Sequence, residues 1–171
     1  MNLPNAEKYI QESNRIKEVY ATEDELSFRA WIWLSKQKEI NEDVLLKLHR
    51  LIMIRQRPEI AGKFRTCNTT VGGRLCPKPE IALKQLETIL VSANLKMSAL
   101  YALDWHIDFE HTHPFKDGNG RTGRMLYRWM CLKNGFMPML FIHERRDEYY
   151  SLFKRSVQAT LKTEKTRDRR L

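Results

Sequence analysis

His113-Pro114-Phe115-Lys116-Asp117-Gly118-Asn119-Gly120-Arg121-Thr122-Gly123-Arg124, HPFKDGNGRTGR in one-letter code, is the stretch on which the fold turns. Before it runs a largely apolar helical pattern from about Ser98 to Glu110, carried by Ala99, Ala102, Leu103, His106 and Phe109. That helix should end at or before His113, because a proline disfavours the helical conformation of the residue preceding it. A second helix is expected from near Gly120 to Asn134 and Gly135, where glycine provides a C-terminal stop. The result is helix, loop, helix, with the polar residues on the loop.

Such a loop suits a polyphosphate. A helix start directs unsatisfied N–H groups and a partial positive charge at whatever sits before it. Gly118 and Gly120 remove side chains that would hold a phosphate away from the backbone. Arg121 and Arg124 fall on one helical face, with Arg128 a turn further on, and guanidinium groups bind phosphate oxygens in pairs. Asp117 would repel a bare triphosphate, a conflict removed by a bridging Mg²⁺ held by one carboxylate and phosphate oxygens. A histidine such as His113 can titrate near neutrality, the property wanted in a general base, and Phe115 buried under the loop would fix its direction. Together they describe nucleotidyl or phosphoryl transfer to a hydroxyl. Each residue taken singly has an ordinary structural role; their coincidence in one loop carries the reading.

Outward from the loop the chain reads as a single all-α domain. A first helix is expected over Asn5 to Tyr20, and Thr22 with Glu25 forms a capping box opening a second through Leu34. Asn41 caps a third that ends before Pro58. Ala61 to Gly73 is rich in Thr, Val and Phe and bounded by glycine, which predicts a β-hairpin flap (61–74) with Asn68 as a turn residue. Pro77 and Pro79 break the chain before a helix carrying Ile81, Leu83, Leu86, Ile89 and Leu90. A last helix from about Arg145 to Leu161 is expected to fray into the basic tail, 162–171.

The composition excludes several classes. The 171 residues fit one core, and no run approaches the roughly 18 apolar residues of a membrane span. The polar opening MNLPNAEKYIQES lacks the pattern of a secretory signal. A formal charge of +9 favours anionic partners, but no aromatic residues are interleaved with Lys and Arg as a nucleic-acid groove would need. Cys67, Cys76 and Cys131 form neither an even set nor a CxxC pair, which fits a reducing cytoplasm, the chain's own or a host's. His106, His111 and His113 are close in sequence, but His106 has the apolar setting of a packed core histidine rather than of a zinc ligand.

The stretch resembles the core motif of Fic domains, H-x-F-x-D/E-G-N-G-R-x-x-R, at every specified position, and the likeness extends from about residue 60 to 155. It implies a Fic fold of about seven or eight helices with one hairpin flap over the site. The implied activity is most often transfer of AMP from ATP to a protein hydroxyl, with release of pyrophosphate. By the same resemblance His113 is the general base, Asp117 the Mg²⁺ ligand, Gly118, Asn119 and Gly120 the anion hole, and Arg121 and Arg124 the phosphate-holding groups. Lys63, Phe64, Arg65 and Thr66 stand in the flap that would pair with an extended segment of a target protein. Tyr149 and Tyr150 stand where the family contributes to the base pocket. The Doc-like branch, which transfers the terminal phosphate, typically lacks the second glycine and second arginine present here as Gly120 and Arg124; removal of AMP is also known in the family. Thr112 replaces the family's usual Ile.

One further likeness is broken. Many Fic proteins carry an inhibitory helix of pattern S/T-x-x-x-E-G/N whose glutamate ties up the second motif arginine. Ser13 to Glu18 resembles it in setting, but Lys17 stands at the glutamate position and Glu18 is one residue late, about 100° around the helix. The expectation is that self-inhibition is lost or disabled, leaving room for an inhibitor supplied in trans.

Overall fold

The computed structural model of the chain describes residues 6–18 and 22–154. Six α-helices come first: α1 (Ala6–Ile16), α2 (Thr22–Leu34), α3 (Glu42–Met53), α4 (Pro79–Ala93), α5 (Ala99–Thr112) and α6 (Asn119–Lys133). A 3-10 turn (His143–Arg145) follows and leads into α7, residues 146–154. Between α3 and α4 lies a two-stranded antiparallel hairpin, β1 (Thr70–Val71) and β2 (Arg74–Leu75), with Thr70 opposite Leu75 and Val71 opposite Arg74. Among the described residues this is an all-α fold of seven helices with one small hairpin, as the resemblance implies.

Local chemistry sets the boundaries. The Asn41 side chain accepts from the Val44 N–H (3.0 Å) at the start of α3, and Ser98 accepts from the Tyr101 N–H (3.2 Å) at the start of α5. Pro79 occupies the first turn of α4, where its missing N–H costs nothing. Gly135, at φ 82°, follows the end of α6.

Helix α6 is the centre of the molecule. Twelve of its fifteen residues are buried, including Arg121, Arg124 and Arg128, and it packs against α5, α1 and α3. Arg128 is accommodated by stacking over the rings of Tyr9 and Trp31, 4.8 and 5.0 Å from their centroids. Gly123 permits the close approach of α5, since a Cβ there would lie 2.7 Å from Glu110 Oε1 and 2.9 Å from the Phe109 ring.

Two expectations are corrected. Helix α1 stops at Ile16, not Tyr20, because Glu18 turns left-handed at φ 60° and ends the helical path. The hairpin turns at Gly72 and Gly73 rather than Asn68, since a two-residue turn of this hand needs positive φ at both positions, here 56° and 79°. The final helix begins at 146, after the 3-10 turn; its expected end at Leu161 and the tail 162–171 lie outside the described residues.

Candidate active site

The loop between α5 and α6 is locked by its own side chains. His113 ends α5 in the left-handed region (φ 49°, ψ 60°), its N–H donating to the Phe109 carbonyl at 3.1 Å. The buried Arg65 guanidinium then donates to the carbonyls of His113 (2.7 Å), Cys67 (2.9 Å) and Pro77, while the Arg65 N–H reaches the Pro114 carbonyl (3.0 Å). Asn119 closes the turn from the other side: its amide donates to the Phe115 carbonyl and accepts from the Phe115 N–H, each at 2.9 Å. What Asn119 has left for an anion is its backbone N–H, at the first turn of α6.

Phe115 is fully buried, as expected, but it faces His49 and Phe64. The His49 ring lies parallel to it with centroids 3.7 Å apart. His49 Nδ1 accepts from the Gly62 N–H (2.9 Å), which assigns the ring proton to Nε2, and Nε2–H donates to the Asp117 carbonyl (2.9 Å). Sequence reasoning missed this residue; its signal was a lone polar position on the apolar face of α3 between Leu45, Leu48 and Ile52.

The chemistry-bearing groups sit around this scaffold. His113 Nδ1 is 3.3 Å from the Glu110 carbonyl, an acceptor, so the proton belongs on Nδ1 and Nε2 is left to accept one. Burial lowers the His113 pKa from 6.5 to about 4, with Arg65 and Arg74 adding to the effect, so the imidazole is neutral at neutral pH. Asp117 Oδ1 accepts from the Gly118 N–H (2.7 Å) and lies 3.7 Å from Lys17 Nζ. The Arg121 guanidinium is buried with Nη2 2.9 Å from Met53 Sδ, while its Nε and Nη1 meet no acceptor. A buried cation with unmatched donors costs free energy unless an anion joins it.

Arg124 is in the opposite condition. Its Nε donates to Ser13 Oγ (2.8 Å), Nη2 to the Ser13 carbonyl (2.9 Å) and Nη1 to the Tyr149 hydroxyl (3.0 Å). The guanidinium also covers Gly120, where a Cβ would lie 2.9 Å from Nη1. Tyr149 is a buried partner of Arg124 and of His106 Nε2 (2.9 Å), packed among Phe141, Tyr150 and Phe153 with no ring face open for a base; Tyr150 is half exposed. Glu110, on the same side, has its pKa raised to about 7 by burial against the opposing influence of Arg124.

The remaining sequence-derived residues divide between two places. In the flap, Lys63 and Thr66 are exposed, with Lys63 Nζ on the Glu59 carbonyl (3.1 Å), and Phe64 forms a single antiparallel bridge to Phe115. Arg65 is consumed by the clip described above and presents no free face to a target. On α1 and the turn that ends it, Ser13 meets Arg124, Lys17 meets Asp117, and Glu18 points away to Arg146 Nη1 (3.0 Å). The displaced carboxylate therefore never reaches the motif arginine. Thr112 is buried with its hydroxyl on the Asp108 carbonyl (2.9 Å). Among the described residues no three His, Cys, Asp or Glu side chains group as a metal site, and no helix is long and apolar enough to cross a membrane.

A family model described as Fic/DOC family matches residues 39–131. The chain is 34% identical over 150 residues to protein adenylyltransferase fic-1 of Caenorhabditis elegans, a match covering 84% of this chain and 29% of that protein. It is 32% identical over 128 residues to protein adenylyltransferase Fic of Drosophila erecta, covering 71% and 26%. The chain thus spans under a third of the length of these curated relatives. A solved structure of Fic-1 from Caenorhabditis elegans superposes with a TM-score of 0.66 at 27% identity, covering 85% of this chain and 53% of that one. A Fic-domain signaling protein from Bacteroides thetaiotaomicron shares the fold with a TM-score of 0.75 at 16% identity, covering 88% and 71%.

Proposed function

Because the chain belongs to the Fic/DOC family, we propose that it is a protein adenylyltransferase, moving AMP from ATP to a hydroxyl side chain of a target protein and releasing pyrophosphate. The observation that carries the reading is the pairing of a neutral His113, its Nε2 open, with an Arg121 guanidinium whose Nε and Nη1 lack acceptors, on the two sides of one glycine turn. The first supplies a proton acceptor and the second calls for an anion. Curated relatives named as protein adenylyltransferases support the choice of reaction.

In this scheme the first backbone N–H groups of α6 and Arg121 bind the phosphates. His113 Nε2 takes the proton from the target hydroxyl as its oxygen bonds to the α-phosphorus; the bond from that phosphorus to the bridging oxygen breaks, and pyrophosphate leaves. Asp117, a partly exposed single carboxylate beside the phosphate loop, is the donor type Mg²⁺ takes together with phosphate oxygens. When bound there the metal neutralises phosphate charge. Strand addition along the exposed hairpin would present the target segment.

Incubation with ATP labelled at the α- or the γ-phosphate, in the presence of Mg²⁺ and a cell lysate, tests the reading. The expected result is protein-bound α label that disappears in His113→Ala. Transfer of the γ label alone would establish phosphotransfer instead, and loss of label from a pre-modified target would establish removal of AMP.

A further inference from the structure

We propose that Lys17 is a phosphate-binding residue of the nucleotide site, a cation that the turn after α1 presents beside Asp117; the proposal rests on the nucleotide reading given above. Its first support is how firmly the end of α1 is placed. The Tyr9 hydroxyl donates to the Arg124 carbonyl (3.1 Å), and Arg124 returns two bonds to Ser13. Asn14 is tied to Asp24 (2.7 Å) and Ser27 (3.3 Å) of α2, and Glu12 accepts the His143 N–H (2.9 Å) ahead of α7. The chain then leaves through the left-handed Glu18, whose carboxylate goes to Arg146. Lys17 is what remains facing the loop, 3.7 Å from Asp117.

The second support is the distribution of cations. A triphosphate needs several positive partners, yet Arg124 has three of its N–H groups committed to Ser13 and Tyr149 and is only 3% exposed. Arg121 retains unmatched donors, but it is a single guanidinium. Lys17 and Asp117 are 55% and 31% exposed at the side chain, so their ion pair sits at an open rim where such pairs contribute little to stability. A lysine stem can swing its ammonium a few ångströms without disturbing the anchored helix. Lys17 therefore serves as the resident counter-ion of Asp117 until phosphate arrives, then moves onto the phosphate oxygens. While it stays on Asp117 its charge also opposes a bare divalent cation there, which makes metal and nucleotide bind together rather than in sequence.

Calorimetric titration of the full chain with ATP and Mg²⁺, and with Mg²⁺ alone, tests this. Lys17→Ala should weaken ATP binding about tenfold, Lys17→Glu more, and Lys17→Arg should restore it, with a smaller effect on AMP, which offers fewer phosphate charges. Unchanged melting temperatures in the three variants would show that the loss is local. Equal or tighter ATP binding by Lys17→Ala overturns the proposal, and tighter Mg²⁺ binding with it would make Lys17 a shield of Asp117. If the native chain binds no ATP with Mg²⁺ present, the nucleotide reading falls and takes this inference with it; if the native chain binds and only the alanine variant is indistinguishable, this inference falls alone.

Discussion

The motif loop 113–124 and the hairpin 70–75 both turn on left-handed glycines, and they are built in opposite ways. Gly118 sits at φ 80° and Gly73 at φ 79°, the same backbone state. Around Gly118 the loop is stitched by Asn119, Arg65 and His49 and backed by the buried Phe115. Around Gly73 nothing lies within 4 Å of where a Cβ would stand, and the strands are two residues each. The part that would do chemistry on a small, fixed set of atoms is rigid. The part that would accept a partner's backbone is held by its own short ladder, its base at Phe64 and Arg65, and a long bond of 3.4 Å from Arg74 to the His111 carbonyl.

Acid should separate the two regions most strongly. His49, His106 and His113 brace or form the site, and burial lowers their pKa values from 6.5 to about 4, 3 and 4. Between pH 6.5 and about 4 the unfolded chain binds protons that these buried rings refuse, so stability present above pH 6.5 is lost as the pH falls through that window. Glu110, raised to about 7, works the other way: it favours the folded state at low pH and that contribution fades as pH rises from 4.5 to 7. Three histidines against one carboxylate leave a net loss of stability as the pH falls toward 5.5, on the order of a few kcal/mol. Denaturant midpoints at pH 7.5 and 5.5 measure it. The hairpin region, 70–75, contains no histidine, so its proteolysis before global unfolding should not change between those pH values.

The two glycines allow a direct comparison at equal backbone strain. Gly118→Ala would bring a Cβ to 2.6 Å from Met53 Sδ and 3.1 Å from His49 Nε2, adding overpacking to about 1 kcal/mol of left-handed strain, about 2–4 kcal/mol in all. Gly73→Ala should cost only the strain, about 1 kcal/mol. Adding Met53→Ala to Gly118→Ala should recover part of the loss in melting temperature if crowding is the cause.

Much of this contrast could be read before any coordinates. Helix ends at Asn41, Ser98, Pro114 and Gly135 followed from residues whose side chains or rings act on their immediate neighbours. The loop's anionic character followed from Gly118, Gly120 and the arginines, again local features. What could not be read were the long-range partnerships: His49 on Phe115, Arg65 on three carbonyls, Ser13 on Arg124 and Tyr149 behind the same arginine. Apart from the Arg65 bond to the Cys67 carbonyl, each joins residues far apart in the chain, and no local spacing rule encodes which buried donor finds which acceptor. Arg65 shows the cost of reading by position, because its place in the flap suggested docking while its packing makes it a clip.

That clip joins the two regions, so cutting it should couple them. Arg65→Ala leaves the His113, Cys67 and Pro77 carbonyls without their shared donor, an expected loss of about 2 kcal/mol. Limited proteolysis should then open the segment 66–76, and AMP transfer should fall because His113 loses the contact that fixes its carbonyl. Intact resistance to protease in this variant would mean that the Phe64 to Phe115 bridge alone holds the flap.

The smallest effect on stability should accompany a selective loss of function at the hairpin. Leu75 is 70% exposed and pairs with the exposed Thr70 on the opposite strand, so an aspartate at position 75 removes little buried area and should change stability by under about 0.5 kcal/mol. ATP binding, set at the loop, should be unchanged. Strand addition, however, needs an uncharged and accessible edge, and a carboxylate there desolvates poorly against a docking peptide. Leu75→Asp should therefore depress labelling of protein targets while leaving both melting temperature and nucleotide affinity at native values. Native-level labelling would remove the hairpin from target recognition and leave the rigid loop as the sole basis for the proposed activity.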